Sequence, residues 1–202
     1  NTTQPLTPSV WQFQTTAQTG HGYLASPVTV APNNSTYAIA VGDFDGDGDL
    51  DLATGNNYDQ NAIYLNNGDD TFATGINFGT GSDATTSLAA GDFDGDGDLD
   101  LAVGNEYESN KLYRNNGAGT FGSPINFGGD ATYSLAWGDF DGDGDLDLAV
   151  GNDDEQNVVY PNNGNGSFGA GINFGTGEDR TTSLAWGDFD GDGDLDLAVG
   201  NR

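Results

Sequence analysis

The chain has 202 residues, 35% hydrophobic and 11% aromatic, with 33 glycines and no cysteine. That mixture suits short strands and tight turns and is too rich in aromatics for disorder, while the missing cysteines exclude a disulfide framework and a thiolate site. Thirty-two acids against four Lys and Arg give a formal charge of −28, which excludes nucleic acid and anionic membrane as direct partners and asks for bound cations to offset the carboxylates.

In chain order, residues 1–9, with Pro5 and Pro8, read as an extended lead. The start at Asn1, with no signal-like stretch before it, reads as a processed or trimmed start, so that secretion is an inference. No apolar run approaches the roughly 18 residues of a membrane span, so membrane insertion is not expected. Two strands follow, Val10–Phe13 and a stretch ending at Val30. From Asp43 the sequence Asp-Phe-Asp-Gly-Asp-Gly-Asp-Leu-Asp-Leu-Ala begins, and it returns at Asp92, Asp139 and Asp188, at spacings of 49, 47 and 49 residues. That is the length of one four-stranded propeller blade, about 40 to 50 residues.

Each repeat divides into four strands. In the second these are Ser87–Phe93, Leu99–Val103 after the acidic loop, Lys111–Tyr113, and Thr120–Phe127 after the Asn115-Asn-Gly117 turn. The last repeat stops at Asn201-Arg202 after two strands, and Thr19–Val30 matches Asn116–Phe127 position by position, supplying the missing outer half. The predicted fold class is therefore all-β, a β-propeller of four blades. Three span about 36–79, 85–128 and 132–175, and the fourth is shared by 183–201 and the N-terminal 10–30, completed within one chain or by self-association through strand exchange between chains.

The acidic loops read as calcium sites, about four Ca2+ per chain. In Asp43, Asp45, Asp47, Asp49 and Asp51, acids at positions one, three and five converge as the chain curls, Gly48 permits the turn at position six, position seven offers its backbone carbonyl and position nine completes the shell. Calcium takes six to eight hard oxygen ligands in such a cradle. The same pattern recurs in Asp92, Asp94, Asp96, Asp98 and Asp100, in Asp139, Asp141, Asp143, Asp145 and Asp147, and in Asp188, Asp190, Asp192, Asp194 and Asp196. An EF-hand would need an acid at position twelve, where Thr54, Val103, Val150 and Val199 stand instead, and zinc is not expected with no cysteine and one histidine.

Over residues 20–201 the chain resembles the FG-GAP/VCBS repeat family, which includes the propeller of integrin α subunits, in its blade order, its acidic loop between first and second strands, and its Phe-Gly outer strands at Phe78-Gly79, Phe127-Gly128 and Phe174-Gly175. The resemblance implies side-chain ligation of calcium from positions one, three, five and nine. Such propellers usually have seven blades, and this chain supplies four.

Trp137 and Trp186 replace Val41 and Ala90 of the other repeats and read as inter-blade filler or as platforms for a sugar ring, and Phe44, Phe93, Phe140 and Phe189 read as core. The variable loops after each second strand, with Tyr58 and Tyr107, are the place for ligand contacts. Sequons at Asn1, Asn33, Asn34 and Asn165 matter in a glycosylating host. His21 has no nucleophile to serve, so no enzyme activity is expected. The expected function is an extracellular structural or adhesion scaffold that presents loops to a protein or glycan ligand. A calcium-dependent lectin is the second reading, with a strand-exchanged filament subunit or an enzyme accessory domain behind it.

Overall fold

The computed structural model describes Val30 and residues 35–202, except Asp70, Asp130, Glu178 and Asp179. The strand assigned to Val10–Phe13, His21, and the sequons at Asn1, Asn33 and Asn34 lie outside the described residues, as does the 10–30 half-blade save Val30. Among the described residues there are fourteen elements, all of them strands. β1 (Thr36–Gly42), β2 (Asp51–Asn56), β3 (Asn61–Tyr64) and β4 (Ile76–Phe78) form the first unit, and β5 (Thr85–Gly91), β6 (Asp100–Asn105), β7 (Asn110–Tyr113) and β8 (Ile125–Phe127) the second. β9 (Thr132–Gly138), β10 (Asp147–Asn152), β11 (Asn157–Tyr160) and β12 (Ile172–Phe174) form the third, and β13 (Thr181–Gly187) with β14 (Asp196–Asn201) an incomplete fourth. Each complete unit is an antiparallel meander in sequence order, as a propeller blade is, and the fourth sheet has two strands among the described residues.

The pattern of each repeat explains its sheet. The second strand, Asp-Leu-Ala-Val-Gly-Asn or its Thr54 variant, is buried along its whole length in the complete units because strands flank it on both sides and the following unit packs against it, β2 on β5, β6 on β9 and β10 on β13. First strands pack side by side, β1 on β5, β5 on β9 and β9 on β13. Close approach is possible because glycines face the next unit. A Cβ at Gly91 would lie 2.8 Å from Cδ1 of Trp137, and one at Gly138 2.7 Å from Trp186. Gly91→Ala is therefore expected to destabilise the chain by about 1 to 3 kcal/mol through overpacking. Urea unfolding measures this, and an unchanged midpoint would contradict the packing.

The outer strands are shorter than the sequence suggests. Phe121 forms an isolated bridge with Asn115, and β8 starts only at Ile125, past Pro124, which has no N–H to donate. Phe44 and Phe93 are buried as expected, each lying beside the next unit's Phe121 or Phe168. Phe140 and Phe189, in the same sequence context, are 40% and 65% exposed. The reason is positional: the phenylalanine is covered by the outer hairpin of the following unit, and among the described residues neither the fourth unit's outer hairpin nor a fifth unit is present.

At the end of the strands opposite the acidic loops, a polar chain, buried except at Asn201, links the units. Asn61 Nδ2 donates to Thr85 Oγ1, which donates to Asn105 Oδ1, and Asn110–Thr132–Asn152 and Asn157–Thr181–Asn201 repeat the pattern. With each member satisfied, it fixes one unit's rotation against the next.

Candidate metal centres

Each acidic loop is wound by its first aspartate. Asp43 accepts Gly46 N–H on Oδ1 at 2.8 Å and Gly48 N–H on Oδ2 at 2.9 Å, and Asp92, Asp139 and Asp188 hold the same pair of glycines in their loops. Both glycines must be glycine, since Gly46 and Gly48 sit at φ +74° and +93°. Position five caps the turn, with Asp49 N–H donating to Asp47 Oδ1 at 2.9 Å.

Position nine is a pin. Asp51 Oδ2 accepts from Phe44 N–H and Oδ1 from Asn66 N–H, both at 2.8 Å, which joins the loop start to the far hairpin, and Asp100 and Asp147 do the same. In Asp196, at the incomplete unit, the Phe189 N–H bond remains. Burial pushes the Asp100 carboxyl up to about 6, with the charges of Asp94 and Asp96 adding to the rise and the N–H groups of Asn115 and Phe93 opposing it. Asp51 is raised for the same leading reason.

These devices bring three carboxylates together in every loop: Asp43, Asp45 and Asp51; Asp92, Asp94 and Asp96; Asp139, Asp141 and Asp147; Asp188, Asp190 and Asp196. In each set one oxygen per residue lies within 4.8 Å of the others. Oxygens about 2.3 to 2.6 Å from one calcium are at most about 5 Å apart, so each set fits around a single ion. The donors are hard oxygens without nitrogen or sulfur, which suits calcium and not zinc or copper. In the second loop Oδ1 of Asp94 is buried without a hydrogen-bond partner among the described residues, and Arg114 Nε lies 3.6 Å from the other oxygen. A buried acceptor facing two further acids is costly unless a cation meets it. Positions one and three meet in every set, joined by position nine in three and by position five in one. Position seven belongs to none: Asp49, Asp98 and Asp145 instead lie over the hairpin turn, where a Cβ at Gly68, Gly117 or Gly164 would come within 2.4 to 2.6 Å of their carboxylates. The sequence signal for that role was the Asn-Asn-Gly at each turn.

The four aromatic candidates divide into two pairs. Trp137 and Trp186 lie between units, their indole N–H groups donating to the Ala89 and Ala136 carbonyls, both at 3.1 Å, and Trp137 stacks on Phe168. Tyr58 and Tyr107 are exposed on the loops at the opposite end from the acidic loops. Around them Tyr133 Oη donates to Glu106, the Arg180 guanidinium lies 4.0 Å from the Tyr133 ring centre, and Arg180 Nε is 3.5 Å from Asp153. Tyr58 and Asp154 hold φ of +56° and +55°.

A family model of the FG-GAP-like repeat matches the chain three times, over residues 43–103, 92–150 and 139–199. No curated protein matches it. Among solved structures, an Agrocybe aegerita lectin, described as recognising non-reducing terminal N-acetylglucosamine, is 19% identical over 84% of this chain and 48% of that one, with a TM-score of 0.59. BBS1N, solved in complex with ARL6DN, is 14% identical over 83% and 52%, with a TM-score of 0.58. The V. cholerae biofilm matrix protein Bap1 is 17% identical over 96% and 31%, with a TM-score of 0.52. At these identities what is shared is the fold, and the chain spans about half or less of each of those proteins.

Proposed function

Since the chain belongs to the FG-GAP-like repeat family, we propose that it is an extracellular β-propeller scaffold braced by calcium, a structural or adhesion module and not an enzyme. The observation that carries this reading is the gathering of three carboxylates in every acidic loop, one of them with a buried oxygen that has no hydrogen-bond partner among the described residues. Bound calcium would supply the charge that offsets mutual repulsion among twenty of the 32 acids. The chain does the rest: Asp43 and its counterparts wind the loop, Asp51 and its counterparts tie it to the next hairpin, and the Asn–Thr chain carries the alignment across units. The loops bearing Tyr58 and Tyr107 then stand on a fixed frame at the opposite end. Proteinase K digestion tests this. Millimolar calcium is expected to slow cleavage within the acidic loops at least tenfold relative to chelator, and equal rates would overturn calcium bracing.

A second reading, a calcium-dependent lectin, is favoured by the exposed tyrosines beside Glu106, Asp153 and Arg180, an aromatic and polar pairing suited to a sugar ring. Glycan-array binding lost on Tyr58→Ala and Tyr107→Ala would establish it, and an array blank in calcium would remove it.

A further inference from the structure

The second acidic loop departs from the other three in two respects that coincide. Its cluster joins the carboxylates of Asp92, Asp94 and Asp96, at positions one, three and five, whereas the first, third and fourth loops bring together positions one, three and nine. It is also the loop with a cation against it, Arg114 Nε lying 3.6 Å from Asp94 Oδ2. The two other ion pairs among the described residues, Lys111 with Asp83 and Arg180 with Asp153, reach no acidic loop.

Arg114 stands where the first and third repeats have Leu65 and Pro161. The place is a junction contact. Leu65 leans on the turn of the second unit's outer hairpin, where a Cβ at Gly119 would come 2.8 Å from its Cδ2. Arg114 leans on the matching turn of the third unit, where its guanidinium fills the space that a Cβ at Gly166 would take. Leucine therefore suffices for the packing. The arginine adds two things that leucine lacks, a hydrogen bond from Nη2 to the Gly166 carbonyl and a positive charge beside Asp94. The hydrogen bond holds that charge in place. At 3.6 Å the Nε contact with Asp94 is electrostatic and not a hydrogen bond, and Nε has no hydrogen-bond partner among the described residues.

We propose that Arg114 is a built-in counter-cation that makes the second loop the weakest of the four calcium centres, an inference that rests on the calcium reading above. Affinity in loops of this kind is set by the number of ligand charges and by the rigidity of the site. Arg114 offsets part of the charge on one of three ligands. Tied to the Gly166 carbonyl, it stays there when an ion arrives, so a divalent cation in the second loop lies beside a fixed positive charge. The loss is about tenfold in affinity, the scale of one charge partly screened by solvent. The relation is reciprocal: calcium in the second loop weakens the hold of Asp94 on Arg114 by the same factor.

The test is a calorimetric titration of the whole, chelator-stripped chain with calcium at physiological salt. The parent is expected to show three equivalents of similar affinity and a fourth about tenfold weaker. Asp92→Asn is expected to remove the weak one, and Asp43→Asn one of the three. Arg114→Leu, which installs the residue that the first unit carries at this place, is expected to bring the weak equivalent up to the others. Arg114→Lys, which keeps the charge, is expected to leave it weak. If Arg114 served packing alone, neither variant would change the order of affinities. Four equivalents of equal affinity in the parent, or an Arg114→Leu chain whose second centre stays weak, would overturn the proposal and leave calcium bracing standing. A parent that binds no calcium would overturn both.

Discussion

Removing divalent cation from the chain is expected to lower its melting temperature by about 3 to 20 °C, and calcium, not magnesium, is expected to restore it. The size follows from linkage. With a dissociation constant of roughly 0.1 to 1 mM, the range of extracellular calcium modules, millimolar calcium stabilises by about 0.4 to 1.4 kcal/mol per site. Four such sites contribute about 2 to 6 kcal/mol, and about 1 kcal/mol moves the midpoint of a domain of this size by 2 to 4 °C. Magnesium fails because its small octahedral shell dehydrates reluctantly, whereas these loops offer a wide arc of carboxylates. Scanning calorimetry with and without chelator reads the shift, and identical midpoints would refute calcium bracing.

The second large effect is expected at a single carboxylate. Asp100→Ala should destabilise the chain by about 2 to 6 kcal/mol, because the Phe93 and Asn115 N–H groups are buried and each loses its acceptor, at about 1 to 3 kcal/mol apiece. Its companions differ. Replacing Asp94 and Asp96 together should cost one calcium equivalent, and Asp98→Ala should matter less, since its carboxylate lies over the Gly117 turn and outside the cluster. Chelator at pH 5 separates the roles. With the folded Asp100 carboxyl raised to about 6, it is mostly neutral there, so the apo protein gains from this group below the unfolded value near 3.8 and loses that gain as pH rises through 6. The Asp100→Ala defect is expected to persist under those conditions, while the Asp94 and Asp96 double variant converges on the parent. Urea unfolding of all three makes the comparison, and a defect at Asp100 that vanishes in chelator would show a ligand without a structural pin.

The repeat made most of this legible. Four copies of one eleven-residue string at blade spacing announced the units, and the alternation of aspartate with glycine announced loops that curl. What escaped was whatever depends on the neighbour and not on the residue. Phe93 and Phe140 share a local sequence, yet one is buried and the other is not, because burial there is conferred by the next unit's hairpin. The double duty of Asp100 was hidden because one of its partners, Asn115, lies fifteen residues on, in another hairpin. The Asn–Thr–Asn chain left a signal in the Gly-Asn that closes every second strand, at Asn56, Asn105, Asn152 and Asn201, but that signal reads as a turn until the strands are in place.

Equilibrium titration of the chelator-stripped chain with calcium, followed calorimetrically, tests the central claim most directly. Four equivalents per chain are expected, one for each acidic loop, falling by one for each of Asp43→Asn, Asp92→Asn, Asp139→Asn and Asp188→Asn. No binding up to millimolar calcium, or a stoichiometry unchanged by those substitutions, would contradict it.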